Sequence, residues 1–124
     1  IGSAATYEGP GRDSMDYFDS EDLKKFPEIG KFRGELAKKF FDYYGKVTGE
    51  DGALTKREKA LIALAVSHAQ KCPYCIDAYT EACLSAGADP EQMSEAVHVA
   101  AAMMAGITLV HNVQMMNKLD RLGA

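Results

Sequence analysis

The chain has 124 residues, of which 47% are hydrophobic and 26% are charged, and its formal net charge is −4. These values are typical of one soluble globular domain with a single core, and the lack of any basic block argues against nucleic-acid binding. Because charge, His or Gly interrupts each long apolar run well short of about 18 residues, we expect no membrane-spanning segment.

The N-terminal part is predicted to hold little structure before a first amphipathic helix. Residues 1–19 are polar and Gly-rich, which predicts a loosely held arm, and its start, "IGSAA", resembles a tag remnant. We expect residues 20–124 to form one helical domain, in which Ser20 caps a first turn that ends near Phe26. From residue 28 to 49, apolar residues recur every three or four positions, which predicts a helix with one apolar face. That face comprises Ile29, Phe32, Leu36, Phe40, Tyr43 and Val47.

Two further helices are predicted on either side of a proline. The T-x-x-E motif at residues 55–58 has the spacing of a capping box and opens a helix that runs to about residue 71. Pro73 is tolerated at the first position of a helix, and the residue before a proline prefers an extended backbone. We therefore predict a break near Cys72 and a new helix from Pro73 to Ala86, which the glycine that follows ends.

The C-terminal third is predicted to form two more helices. The segment "DPEQ", residues 89–92, combines a cap, a proline at the first helical position and a glutamine that completes a capping box. It predicts a helix to about Ala105, where Gly106 is expected to kink or end it, and a last helix over residues 107–122. The inward residues of that last helix are predicted to be Val110, Val113 and Leu119. With no strand pattern, the predicted fold class is all-α, as a compact bundle of five or six helices.

The segment "SHAQKCPYCIDAY", residues 67–79, carries the candidate chemistry. Cys72 and Cys75 fall on one face at a helix start, so their sulfurs can bond with little backbone movement. The partial positive charge of the helix N-terminus favours a thiolate nearby, which suits one sulfur that reacts with substrate and another that resolves the intermediate as a disulfide. His68 and Tyr79 continue the stripe at spacings of four and are candidates for proton transfer.

The residues alone leave two other interpretations of the cysteine pair open. Such a pair can be half of a zinc site, and although the sequence has no second pair, His68, His98 and His111 could supply nitrogens. A non-enzymatic metal-binding or scaffold protein is therefore one alternative. The other is a dithiol that handles arsenicals or passes electrons to a partner without peroxidase activity. For His98 and His111, both in apolar helical stretches, a role in the core or in a subunit contact is the simpler explanation.

Compartment and assembly follow from the remaining residues. Three cysteines are odd in number and too few for a secreted disulfide framework, so we expect a reducing, cytoplasmic setting. Cys83 is rotated off the reactive face and is predicted to be a buried small side chain. The apolar face of residues 29–47 and the methionines at 103–104 and 115–116 supply more apolar surface than a small monomer covers. We therefore expect a homo-oligomer.

Residues 54–104, "LTKREKALIALAVSHAQKCPYCIDAYTEACLSAGADPEQMSEAVHVAAAMM", resemble the alkylhydroperoxidase D-like branch of the carboxymuconolactone decarboxylase superfamily. The shared pattern is an acidic helix start, "LIALAVS", the C-x-x-C pair, a short helix, Gly-Ala and E-A-V-x-V-A-A, in which x is any residue. The segment "CPYCIDAYT", with a histidine before it, is similar to a subgroup of arsenosugar-biosynthesis-associated peroxidase-like proteins. The resemblance spans about half of the chain, and the helical pattern of the rest agrees with it.

This resemblance implies an all-α fold, assembly into dimers, trimers or hexamers, and thiol-dependent reduction of hydroperoxides without a cofactor or metal. In the family, the cysteine at the position of Cys75 attacks the peroxide. The cysteine at the position of Cys72 resolves the intermediate and meets the reductant, a small dithiol such as a lipoyl group or a thioredoxin-like protein. Family members that act as decarboxylases lack the pair, so lactone decarboxylation is not expected.

The chain departs from the family's proton relay. The family has a glutamate twelve residues before the first cysteine and a histidine four residues after the second, and these positions hold Ala60 and Tyr79 here. Neither residue can form the expected acid–base pair. We expect His68, one turn before Cys72, to take over the proton transfer with Tyr79 assisting.

Overall fold

A computed structural model describes residues 18–124, and this part of the chain is built from helices without a strand. A 3₁₀ segment precedes five α-helices, which we number α1 to α5. The bounds are Ser20–Lys31 for the 3₁₀ segment, Gly34–Gly49 for α1, Lys56–Ala69 for α2, Pro73–Ser85 for α3, Pro90–Val110 for α4 and Asn112–Arg121 for α5. The all-α prediction is confirmed. Of the predicted arm at residues 1–19, only Phe18 and Asp19 lie within the described residues.

The helix predicted over residues 28–49 is interrupted in the structure. Its first part belongs to the 3₁₀ segment, and α1 begins only at Gly34. The apolar repeat continues from the 3₁₀ segment into α1, because the segment packs against this helix. The rings of Phe26 and Phe41 meet edge to face there, with their centroids 5.1 Å apart. The cap prediction is also wrong by one residue, since Asp19 accepts the backbone N–H of Glu21 and so caps the segment.

The starts of α2 and α4 are as predicted. Thr55 and Glu58 each accept the other's backbone N–H and form a capping box. Asp89 and Gln92 do the same ahead of α4, with Pro90 at its first position. These reciprocal bonds satisfy backbone donors that have no partner inside the helix.

The predicted end of α4 at Gly106 is wrong. The helix runs through this glycine to Val110, and only His111 separates it from α5. A glycine inside a helix costs only about 1 kcal/mol relative to alanine, and no proline follows that would remove a backbone hydrogen bond. The glycine therefore weakens α4 locally without ending it.

The core of the described residues is small and centres on α2. This helix packs against both α3 and α4. The buried apolar side chains come from α2, α3 and the turn before α4, and Ser67 of α2 is a buried polar residue. The buried apolar residues are Ala60, Leu64, Cys83 and Ala88.

A long C-terminal segment has no partner in the single chain. Every residue from 101 to 124 is exposed, including Met103 at 61% and Leu109 at 68% of their full accessible surface. The prediction that Val110, Val113 and Leu119 face inward is therefore wrong for one chain alone, because α5 contacts nothing in the described part except α4.

The stretch Pro90–Arg121 is also long and apolar enough to cross a membrane, with a mean hydropathy of 1.5 over its best window. The stretch arises because the apolar residues on both sides of Gly106 and His111 form nearly continuous helix, and the expectation that no segment spans a membrane stays a prediction. One such helix is weak evidence for a membrane span, since helices that pack in soluble assemblies have the same length and composition.

Candidate functional site

The two cysteines of the C-x-x-C pair stand at the N-terminus of α3. Cys72 is the cap residue and Pro73 is the first helical residue, as the sequence predicts. The Cα atoms of Cys72 and Cys75 are 5.3 Å apart, and the two residues form a disulfide in this structure. The sulfur of Cys72 also accepts the backbone N–H of Cys75 at 3.3 Å. A helix N-terminus thus directs an N–H group at the first sulfur, which stabilises a thiolate there after reduction.

The backbone just before the pair is tightly defined by the end of α2. Lys71 has a φ of 55°, which is the left-handed region. Its N–H donates to the carbonyl of His68 at 3.2 Å, and the N–H of Cys72 donates to the carbonyl of Ser67 at 3.0 Å. These two bonds form the Schellman motif that ends many helices. The motif turns the chain sharply and sets Cys72 at the start of α3.

The pair opens on a cavity of about 880 Å³ between α1, α2 and α3. Both cysteines are half-buried and line it together with Tyr79 and the buried Ser67. Much of the remaining wall is apolar. The aliphatic side chains on it are Val47, Leu54, Ile62 and Val66. An apolar cavity with a few polar groups is the usual form of a small-molecule site.

The charged side chains on the cavity wall come from the end of α1, the loop after it and the start of α2. Lys59 donates to the backbone carbonyl of Glu50 at 2.7 Å, and a carboxylate oxygen of Asp51 accepts the N–H of Lys56 at 2.8 Å. These bonds fasten the loop to α2. The charged groups of Lys59 and Asp51 thus bond backbone atoms and hold one side of the cavity in place.

Two tyrosines meet within the cavity. The hydroxyl of Tyr79, one helical turn after Cys75, is hydrogen-bonded to the hydroxyl of Tyr44 from α1. Burial raises the pKa of Tyr44 well above its usual value, and the bond to Tyr79 adds to this shift. The sequence did not point to Tyr44, because it lies 35 residues before its partner and carries no local motif.

The structure brings three of the four predicted site residues to one cavity. Cys72, Cys75 and Tyr79 line it, whereas His68 does not. The imidazole of His68 is half-buried on α2, with Nδ1 2.9 Å from the carbonyl oxygen of Leu64. The role of His68 in proton transfer stays a prediction.

The other residues considered for chemistry lie elsewhere. Cys83 is fully buried in the core, as predicted, and burial raises the pKa of its thiol. His98 and His111 are exposed in the single chain, and Nδ1 of His111 lies 2.7 Å from the carbonyl oxygen of Ile107. Among residues 18–124, no group of three or more His, Cys, Asp or Glu side chains is placed to hold a metal ion. The described residues therefore give the metal-binding alternative no ligand set.

A helical domain with a cysteine pair at a helix start beside a cavity matches a known family. The model of the carboxymuconolactone decarboxylase family matches residues 34–117, which covers α1 to α4 and half of α5. The chain therefore belongs to the carboxymuconolactone decarboxylase family.

A curated relative extends the comparison to an individual protein. Over 77 residues the chain is 44% identical to a Paracoccus denitrificans protein named "Uncharacterized protein 4 in cox locus". The match covers 62% of this chain and 69% of the relative. Because that protein is uncharacterised, its name adds no function, and the subgroup resemblance stays a prediction.

Proposed function

We propose that this protein is a thiol peroxidase that reduces hydroperoxides through a dithiol–disulfide cycle of Cys72 and Cys75. One observation carries the proposal. The two cysteines are close enough to form a disulfide, stand at a helix N-terminus and open on an apolar cavity large enough for an organic molecule. The family to which the chain belongs includes alkylhydroperoxidase-like peroxidases, which supports the same activity.

The proposed reaction needs only the two sulfurs and a dithiol. The Cys75 thiolate attacks the outer oxygen of the hydroperoxide, the O–O bond breaks, and the remaining oxygen leaves as an alkoxide that takes up a proton. The Cys72 thiolate then attacks the sulfenic acid on Cys75, which forms the disulfide and releases hydroxide. An external dithiol, such as a lipoyl group or a thioredoxin-like protein, is oxidised as it returns both cysteines to thiols.

The compartment and the assembly belong to the same proposal. A disulfide that must be reduced in each cycle suits a reducing cytoplasm, where dithiol reductants are supplied. The exposed segment 101–124 and the exposed apolar face of α1 support a homo-oligomer in which other copies cover these surfaces.

The first experiment follows the consumption of cumene hydroperoxide with dihydrolipoamide as reductant. We expect the wild type to turn over and Cys75→Ser to lose activity by roughly a thousandfold or more, because it lacks the nucleophile. Cys72→Ser should react once and stop, with a sulfenic acid on Cys75 that dimedone labels and mass spectrometry detects.

Cys83→Ala is the matched control, since it removes a thiol that does not line the cavity. It should retain the wild-type rate. A wild type that consumes no hydroperoxide, with both thiols free, would contradict the proposal. Arsenite binding by the reduced pair would then be the next reaction to measure, because trivalent arsenic binds two neighbouring thiolates.

A further inference from the structure

We propose that the Tyr79–Tyr44 pair is the proton donor for the leaving oxygen, with Tyr79 as the catalytic acid and Tyr44 as the residue that positions and supports it. The inference rests on the proposed function and assigns the proton that the family's glutamate and histidine would move. Two geometric observations support it. The hydroxyls of Tyr79 and Tyr44 are hydrogen-bonded to each other, and both tyrosines line the cavity that the two cysteines also line.

Tyr79 is placed to act on the same substrate as Cys75. The two residues are four positions apart on α3, so they lie on one face of the helix, one turn from each other. Both line the cavity. A hydroperoxide that enters the cavity can therefore contact both Cys75 and the Tyr79 side chain.

Tyr44 is held firmly by its surroundings. Its ring packs against the rings of Phe40 and Phe26, with centroids 5.3 Å and 6.0 Å away. Its backbone carbonyl also accepts the hydroxyl of Thr48 at 2.7 Å. These contacts fix the Tyr44 hydroxyl and, through the bond between the hydroxyls, the position of Tyr79.

The chemistry of the pair suits a leaving alkoxide. A phenol is a stronger acid than an alcohol or water, so a tyrosine hydroxyl can give its proton to an alkoxide or hydroxide in a downhill step. The Tyr79 phenolate that forms accepts a hydrogen bond from Tyr44. Tyr44 keeps its own proton during this step, because burial raises its pKa.

The proton balance of the step is closed by the second cysteine. The Cys75 thiolate and the hydroperoxide give a sulfenic acid and an alcohol, with the alcohol's proton coming from Tyr79. The Tyr79 phenolate then takes the proton of the Cys72 thiol. This leaves Cys72 as the thiolate that attacks the sulfenic acid, so one tyrosine serves both half-steps.

The test compares two oxidants in stopped-flow measurements on the reduced protein. With cumene hydroperoxide, whose alkoxide needs a proton, the reduced Tyr79→Phe variant should be oxidised roughly a hundredfold more slowly than the wild type. The Tyr44→Phe variant should be oxidised about tenfold more slowly. With peracetic acid, whose carboxylate leaves without a proton, both variants should react within about twofold of the wild type. The double variant should be no slower than Tyr79→Phe alone, because the two residues act as one unit.

Thr80→Val is the matched control, since it removes a hydroxyl next to Tyr79 that bonds the carbonyl of Ile76 and does not line the cavity. It should react like the wild type with both oxidants. Equal losses with both oxidants would overturn the inference, because they would indicate a structural role for the tyrosines. A loss specific to cumene hydroperoxide in His68→Ala, with Tyr79→Phe unaffected, would assign the proton to His68 instead. A wild type inert to both oxidants would contradict the proposed function itself.

Discussion

Lys71 occupies a backbone position that usually holds glycine. Three helices of the described part end in the same Schellman motif, and the left-handed residue is glycine in two of them, Gly87 with a φ of 91° and Gly123 with a φ of 72°. The third is Lys71, directly before Cys72. The left-handed conformation costs an L-residue about 1–2 kcal/mol of conformational free energy. The residue directly before the cysteine pair is therefore strained.

We expect Lys71→Gly to stabilise the protein by about 0.5–1 kcal/mol, because the relief of strain exceeds the extra freedom that glycine has in the unfolded chain. Urea unfolding of the oxidised protein measures this change in the free energy of unfolding.

Gly87→Ala is the reverse control, since it places a Cβ in the same conformation at the end of α3 and should destabilise the protein by a similar amount. A Lys71→Gly variant that is less stable than the wild type would mean that the lysine side chain contributes more than its backbone costs.

The sequence predicts the residues whose role depends on hydrogen bonds to near neighbours in the chain. It does not predict residues that only tertiary packing brings to the site. Cys72 at the start of α3 and the caps at Thr55 and Asp89 follow from spacings of three or four residues, and the structure has all of them. Tyr44 could not be found in this way, because only the packing of α1 beside α3 brings its hydroxyl to Tyr79. Of the predicted stripe, Cys72, Cys75 and Tyr79 line one cavity, whereas His68 does not, because the turn at Lys71 changes the direction of the chain between α2 and α3.

At the scale of elements, the 3₁₀ segment and α1 meet at one very close contact. A Cβ built on Gly30 would lie 2.8 Å from the Cβ of Ala37 in α1. No real pair of such atoms is this close, so only glycine allows the two elements to pack as they do. The contact holds the 3₁₀ segment against α1, the two elements that supply Phe26 and Phe40, whose rings pack against Tyr44.

We expect Gly30→Ala to destabilise the protein by about 1–3 kcal/mol, because it overpacks this contact. Gly45→Ala is the matched control in α1, where a new Cβ meets nothing within 4 Å. It should stabilise the protein by about 0.5–1 kcal/mol through the higher helix propensity of alanine. Thermal unfolding of both variants measures the difference. Equal effects of the two substitutions would mean that the 3₁₀ segment does not pack tightly on α1 in solution.

At the scale of the whole molecule, the described chain leaves many more large apolar side chains exposed than buried. Its buried apolar side chains number four among the described residues, and only Leu64 among them is large. The apolar face predicted for residues 29–47 is exposed throughout, with Tyr43 at 70%. The sequence analysis assigned this face to subunit contacts but placed Val110, Val113 and Leu119 inside one chain, because periodicity does not distinguish a core within a subunit from a core between subunits.

We therefore expect stability to depend on protein concentration. Dilution should lower the melting temperature, because dissociation exposes the surfaces of segment 101–124. Leu109→Glu should shift the protein toward monomers and lower its melting temperature, since it places a charge on the exposed apolar part of α4. Sedimentation equilibrium and melting at several concentrations measure both effects.

Gln114→Glu is the control for an added charge in the same segment, at a position that is already polar, and it should assemble like the wild type. A wild type that sediments as a monomer, with a melting temperature independent of concentration, would contradict the expected assembly.

The short span of the disulfide has a thermodynamic consequence for its reduction. The bond between Cys72 and Cys75 closes a ring of only four residues. In the chain-entropy model, such a ring stabilises the folded state by roughly 2 kcal/mol, against nearly 5 kcal/mol for a loop of about 100 residues. A thermodynamic cycle makes this contribution reciprocal, so folding lowers the reduction potential of the disulfide by only roughly 40 mV. The fold thus leaves the bond open to reduction by small dithiols, and reduction removes only this small contribution from the stability of the folded chain.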